Sequence, residues 1–176
     1  MSHGFAIYRS SIGCLLVEHR DEKLTRLQIL CSESQEVGVA DLFTDRVFAQ
    51  VEEYLAGERQ TFDVELDLSA CTPFQRCVLE ELRRIPFGQT RSYGQIAEAI
   101  GNSKASRAVG NANNRNPIHI IIPCHRVVGA SGALTGYAAG VDVKAKLLAL
   151  EVKKTNSLQQ PNEPQPRTTC GMFRRS

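Results

Sequence analysis

Apolar residues cluster in short runs near the N-terminus and fall at helical spacing afterwards. Residues 5–17, FAIYRSSIGCLLV, and 24–31, LTRLQILC, are apolar stretches separated by the charged EHRDEK, a pattern that predicts a hairpin. From Leu42 to Leu55 the apolar positions are 42, 43, 47, 48, 51, 54 and 55, one stripe of a helix that Gly57 ends. TFDVELDL at 61–68 alternates strictly, as a half-buried strand does. From residue 72 the rhythm is helical. Thr72 caps a helix with Pro73 in its first turn and apolar residues at 74, 77, 78 and 82, and IPFG stops it. Ser92 caps a second helix through Ile100, Gly101 ends that one, and Ser103 caps a third from Lys104 to about Asn113, the layout of a helix-turn-helix. Ile118 to Ile122 suits a buried strand that ends at Pro123, since proline has no N–H to give a ladder. The pattern predicts an α+β chain: a small N-terminal unit over 1–71, a mostly helical unit over 72–152, and a disordered tail over 153–176, rich in Gln, Pro and Asn.

Composition narrows the setting. The length, 176 residues, fits one ordinary domain or two small ones, and a 42% hydrophobic share is enough for a core. No run is long enough to span a membrane, and MSHGFAIYRSS lacks the layout of a signal peptide, so a cytoplasmic or, in a eukaryote, nuclear location is expected. The six cysteines include no Cys-x-x-Cys pair, and Cys14, Cys31 and His19 make no convincing ligand set, so neither metal nor cofactor is expected. The net charge of +2 hides an asymmetry. Residues 1–71 carry 6 Lys and Arg against 13 Asp and Glu, whereas 72–151 carry 10 against 5. If the chain meets a polyanion, its second half does so.

The chemistry converges on Cys124. A thiolate is the nucleophile, so a working cysteine needs a base, and His125 is adjacent. In an extended segment neighbouring side chains point to opposite faces, so a water or a sharp turn after Pro123 must close the gap. Glu151, the lone acid in KLLALEV, is the acid best suited to orient the imidazole. Glycines at 129, 132, 136 and 140 predict a tight hairpin and a loop, from which Tyr137 offers a wall for a planar ligand. The third predicted helix is nearly bare. Ala105, Ser106, Ala108, Gly110 and Ala112 leave Lys104 and Arg107 as its long cations, which suits close approach to a narrow groove and equally suits tight helix packing. On these grounds alone, a coincidental Cys-His pair and a catalytic one both stand.

PFQRCVLEELRRIPFGQTRSYGQIAEAIG, KASRAVGNANNRNP, IPCHRVVGASGALTGYAAG and LLALE together resemble the O6-alkylguanine-DNA alkyltransferases, through roughly residues 73–151. The resemblance implies a ribonuclease H-like N-terminal domain and a winged-helix, helix-turn-helix C-terminal one. It also implies a monomer that binds double-stranded DNA through the minor groove, flips out an O6-alkylated guanine and takes its alkyl group irreversibly. By position Cys124 is the acceptor, His125 its base through a water, Glu151 the group that fixes His125, Asn116 a brace, and Tyr93 the donor that assists departure of guanine. Arg107 fills the vacated stack; Lys104, Ala105, Ser106, Gly110 and Arg126 are its companions at the DNA; Val127, Tyr137, Ala138 and Ala139 line the pocket. The chain departs from the family pattern at Leu79, often tryptophan, and at Ala139, whose methyl is expected to narrow the pocket and disfavour benzyl relative to methyl. The sequence offers no reason for His119 within its apolar run. The competing classes are a damage-flagging protein without the cysteine, a Cys-His-Glu hydrolase that turns over, and a sequence-selective winged-helix regulator.

Overall fold

The structure, a computed structural model, describes residues 2–30 and 38–159. Three antiparallel strands form a meander: β1 (His3–Ser10), β2 (Gly13–Arg20) and β3 (Lys23–Leu30). The run 5–17 is therefore two strands, split at Ser11 and Ile12, where Ser10 Oγ donates to the Gly13 carbonyl (2.7 Å) and Gly13 takes a positive φ of 122°. The predicted hairpin is present, but its strands reach into the charged segment. Only Asp21 and Glu22 remain as the turn, both at positive φ (48° and 56°), which suits a two-residue connection. Thr25 is an extra residue opposite Glu18 and His19, so the inward positions of β3 slip from Leu24 to Leu27 and Ile29.

Helix α1 (Leu42–Leu55) has the predicted bounds. Asp41 caps it, accepting from the Thr44 N–H at 2.8 Å, while the Thr44 hydroxyl accepts from Asp41 N. Phe43, Val47, Val51 and Tyr54 share one buried core with Leu15, Val17, Leu27 and Ile29 of the sheet. Residues 61–68 are not a strand. Phe62, Val64, Leu66 and Leu68 do face the core, but only Leu66 bridges, beside Leu24 at the open edge of β3.

The second half is helical as expected: α2 (Pro73–Arg83), α3 (Tyr93–Ala99), α4 (Ser106–Asn114) and α5 (Val141–Gln159). Thr72 caps α2, and Ser92 caps α3 through a reciprocal pair with Gln95. Ser103 does not cap; residues Ser103–Ala105 form a 3₁₀ turn that feeds α4 without a side-chain cap. Helix α5 continues through Gln159, so residues 153–159 are helical rather than the start of a tail; the remainder of that expectation lies outside the described residues. Two short parallel strands, β4 (Arg91–Ser92) and β5 (Val127–Val128), replace the expected hairpin after Cys124, whose loop closes instead through Gly129 N–H to the Ala133 carbonyl (2.9 Å).

Ile118 to Ile122, buried but for the half-buried Ile121, is not a strand. Ile118 bridges Leu27, and the chain then turns back with Ile120 at φ 68°, a left-handed conformation that costs a β-branched residue about 1–2 kcal/mol. Asn116 holds this turn: its Nδ2 donates to the carbonyls of Ile118 (3.0 Å) and Ile122 (2.9 Å), and its Oδ1 accepts from Ile118 N (3.0 Å). A side chain thus supplies the partners that a neighbouring strand would have given. The same turn joins the two halves, because Leu27 N donates to the Pro117 carbonyl (2.9 Å) and His119 N to the Leu27 carbonyl (2.7 Å).

Candidate active site

Cys124 opens a 3₁₀ turn, Cys124–Arg126, directly after the Asn116-braced loop, and only 1% of its surface is exposed. Burial pushes its thiol pKa up, while the side chains of Asn116 and Tyr137, its own N–H and the Lys144 cation pull the other way. The resting sulfur is a shielded thiol in a setting arranged to accept a negative charge. Tyr137 is buried, and burial and the neighbouring thiol raise its hydroxyl pKa far above the usual range.

His125 turns away from the sulfur, and the two form no direct hydrogen bond. Its Nε2 lies 2.9 Å from Glu151 Oε1 and 3.3 Å from the Tyr54 hydroxyl, while Nδ1 is buried without a partner. An ionised carboxylate only accepts, so the Nε2 nitrogen carries the proton and Nδ1 is left with its lone pair. Glu151 is one face of α5 together with Lys144 and Leu147, all three buried. Its carboxylate accepts from His125, from the Tyr54 hydroxyl (2.6 Å), from Gly88 N (2.9 Å), and from Arg126 through Nε (3.0 Å to Oε2) and Nη2 (2.8 Å to Oε1). Burial alone would raise its pKa; the hydrogen bonds from His125 and Arg126 and the guanidinium charge outweigh that and hold it well below the usual carboxylate range. Because Arg126 already balances Glu151, His125 need not be charged. Its pKa is lowered, chiefly by burial.

Arg126, expected at the DNA, is instead committed inside the protein. It is buried, spends its donors on Glu151 and the Ile85 carbonyl (2.7 Å), and lies over the Phe87 ring. Ala105 is buried too, and Gly110 packs against the ring of Tyr93. Tight packing thus explains part of the bareness of α4. Arg107 is exposed on α4, Lys104 is exposed on the 3₁₀ turn before it, and Ser106 is half-buried. Tyr93, at the start of α3, donates to the Thr135 carbonyl (3.1 Å), which also accepts from Lys144 Nζ (2.9 Å). Burial and the nearby Cys124 raise the Tyr93 pKa, so its proton is retained. Around the thiol loop Tyr137 and Ala139 are buried and Ala138 is exposed, while Val127 is fully buried in β5.

Three members of the site escape the sequence reading: Tyr54, Gly88 and Lys144. Gly88 sits at φ 76°, and a Cβ there would run into the Thr155 side chain, so IPFG ends a helix and also brings an N–H to Glu151. Lys144 stands seven residues before Glu151, two helical turns along the same face, a spacing the sequence displays. Among the described residues no group of three His, Cys, Asp or Glu side chains could hold a metal ion, and no helix is long and apolar enough to cross a membrane.

A sheet-and-helix unit joined to a helix-turn-helix unit around a buried thiol defines the class. Residues 5–68 match the ribonuclease-like domain of 6-O-methylguanine DNA methyltransferase and residues 73–153 its DNA binding domain. The chain belongs to this family of DNA-binding repair methyltransferases. It is 48% identical over 153 residues to the methylated-DNA–protein-cysteine methyltransferase of Methanosarcina acetivorans, covering 84% of this chain and 97% of the relative. The crystal structure of Mycobacterium tuberculosis O6-methylguanine methyltransferase superimposes with a TM-score of 0.79 at 41% identity, over 92% of this chain and 97% of the other. That of Mycobacterium tuberculosis OGT in complex with DNA gives 0.78 at 46% identity, over 85% and 93%.

Proposed function

We propose that the protein repairs DNA by moving an alkyl group, chiefly methyl, from O6-alkylguanine, and from O4-alkylthymine, to Cys124, once per chain. The observation that carries this reading is the buried Cys124 thiol beside a neutral His125 whose Nε2–H is tied to an ionised Glu151. Nδ1 of His125 takes the thiol proton through a bridging water. Sγ attacks the alkyl carbon, the S–C bond forms as the C–O bond breaks, and the electron pair leaves with guanine. Tyr93 lends its proton to the departing base, and Lys144, linked to it through the Thr135 carbonyl, offsets the charge that the proton leaves behind. The product is a neutral thioether with no proton to lose and no route back to a thiol.

The reactive sulfur is enclosed, so the target base must leave the duplex to meet it. We assign that step to α4, set in the minor groove of double-stranded DNA, with Arg107 entering the vacated stack, and Lys104 and Ser106 contacting the backbone. Base edges are left unread, as befits repair in any sequence. We take the protein to act as a monomer. We take residues 1–71 and 72–152 as the two working units; the two family matches meet between 68 and 73. Mass spectrometry after mixing with O6-methylguanine DNA tests the reading: one added methyl on the peptide that holds Cys124 is expected, and modification elsewhere, or none, overturns it.

A further inference from the structure

We propose that Tyr54, contributed by the N-terminal unit, is a positioning residue for transfer: it fixes the Glu151 carboxylate, and through it the orientation and proton affinity of His125. The inference rests on the reading of Cys124 and His125 given above. Tyr54 lies on the last turn of α1, fully buried, with its ring against Phe62 (5.6 Å between centroids) and edge-on to Phe87 (6.1 Å). Phenylalanine would satisfy that packing. The hydroxyl adds a polar group that costs free energy to bury, and its use is specific: it donates to Glu151 Oε1 at 2.6 Å, the same oxygen that accepts from His125. At 3.3 Å from Nε2 it is also a second acceptor for the imidazole N–H. The hydroxyl therefore sits at the vertex between carboxylate and ring, and it ties an otherwise C-terminal active site to the other half of the chain.

The sign of the effect follows from what surrounds His125. Glu151 on α5 favours the imidazolium; Arg126 beside it and Lys144 on α5 oppose it; His119 lies nearby, Cys124 precedes it in the chain, and the Tyr54 hydroxyl meets its Nε2. A hydrogen bond donated to the carboxylate disperses its negative charge and so weakens its pull on the imidazole proton. Without the Tyr54 hydroxyl, Glu151 draws a proton onto His125 at higher pH, and less of the neutral base is available.

The test is Tyr54→Phe in the full-length protein, which keeps the ring. In DNA-free protein, NMR titration of the His125 ring is expected to move up by about half a pH unit or more. The single-turnover transfer rate at neutral pH is expected to fall about tenfold, with the acid limb of its pH profile moving the same way. Affinity for lesion DNA, measured in a Cys124→Ser background, is expected to stay within about twofold, since the hydroxyl touches no DNA. In a Glu151→Gln background the effect of Tyr54→Phe should vanish, because a positioning role acts through that carboxylate. Coincident His125 titrations and pH–rate profiles for the two proteins overturn the proposal, as does an equal loss of rate in the Glu151→Gln background. Should the wild type place no alkyl group on Cys124, the repair reading fails while the DNA-free titration still decides the role of Tyr54.

Discussion

Arg126 shows how far one side chain's role depends on where the backbone turns. In the sequence it is a cation beside the candidate nucleophile in a basic half, and DNA is the natural partner. In the fold it is the counter-charge that lets Glu151 stay ionised and His125 stay neutral. Removing one member of a buried, hydrogen-bonded pair costs roughly 3–5 kcal/mol, far more than losing an exposed pair. Arg126→Ala should therefore lower the urea midpoint steeply while the salt dependence of DNA binding keeps its slope. A phosphate contact would instead lose about one unit of that slope.

Among the elements, α4 presents Arg107 outward and turns Val109 and Ala112 inward, while the 3₁₀ turn before it exposes Lys104 and buries Ala105. If Arg107 holds a flipped nucleotide's gap, its side chain matters only where there is a stack to fill. Arg107→Ala is expected to slow transfer from duplex DNA about tenfold or more, to leave transfer from the free alkylated base unchanged, and to keep the thermal midpoint within a degree or so. Equal losses on both substrates would contradict that role. The elements also mark what the sequence made legible. The stripe of α1 and the caps at Thr72 and Ser92 could be read to the residue, because local spacing and local hydrogen bonds set them. Ile118 to Ile122 announced burial correctly and conformation wrongly, since Asn116 and the edge of β3, distant in sequence, decide the backbone path. Cys124, His125 and Glu151 were legible by type. Tyr54 was not: on its helix it is one more apolar-stripe residue, and only the packing of α1 against the second half gives its hydroxyl a partner.

Across the whole molecule the two halves meet along the outer edge of β3, and His119 lies in that seam. Its N–H donates to Leu27 and its Nδ1 accepts from Ile29 N at 3.3 Å, which explains a histidine in an apolar run. Burial first, then the nearby His125, lowers its pKa to about 4. The folded value lies below the ordinary 6.5, so the unfolded chain takes up a proton first. This contribution to stability is intact above about pH 6.5 and is lost as pH falls toward 4, by about 3 kcal/mol. His119→Asn keeps an acceptor for Ile29 and removes the titration; urea unfolding across that range should show the acid-dependent loss reduced by about this amount, and an unchanged pH slope would contradict it. On the proposed reading the whole molecule accepts one alkyl group and then stops. Labelled O6-methylguanine duplex supplied in several-fold excess tests it most directly. One methyl per chain is expected, all of it on Cys124, and none thereafter; continued turnover, or undiminished transfer by Cys124→Ser, would contradict single use of this thiol.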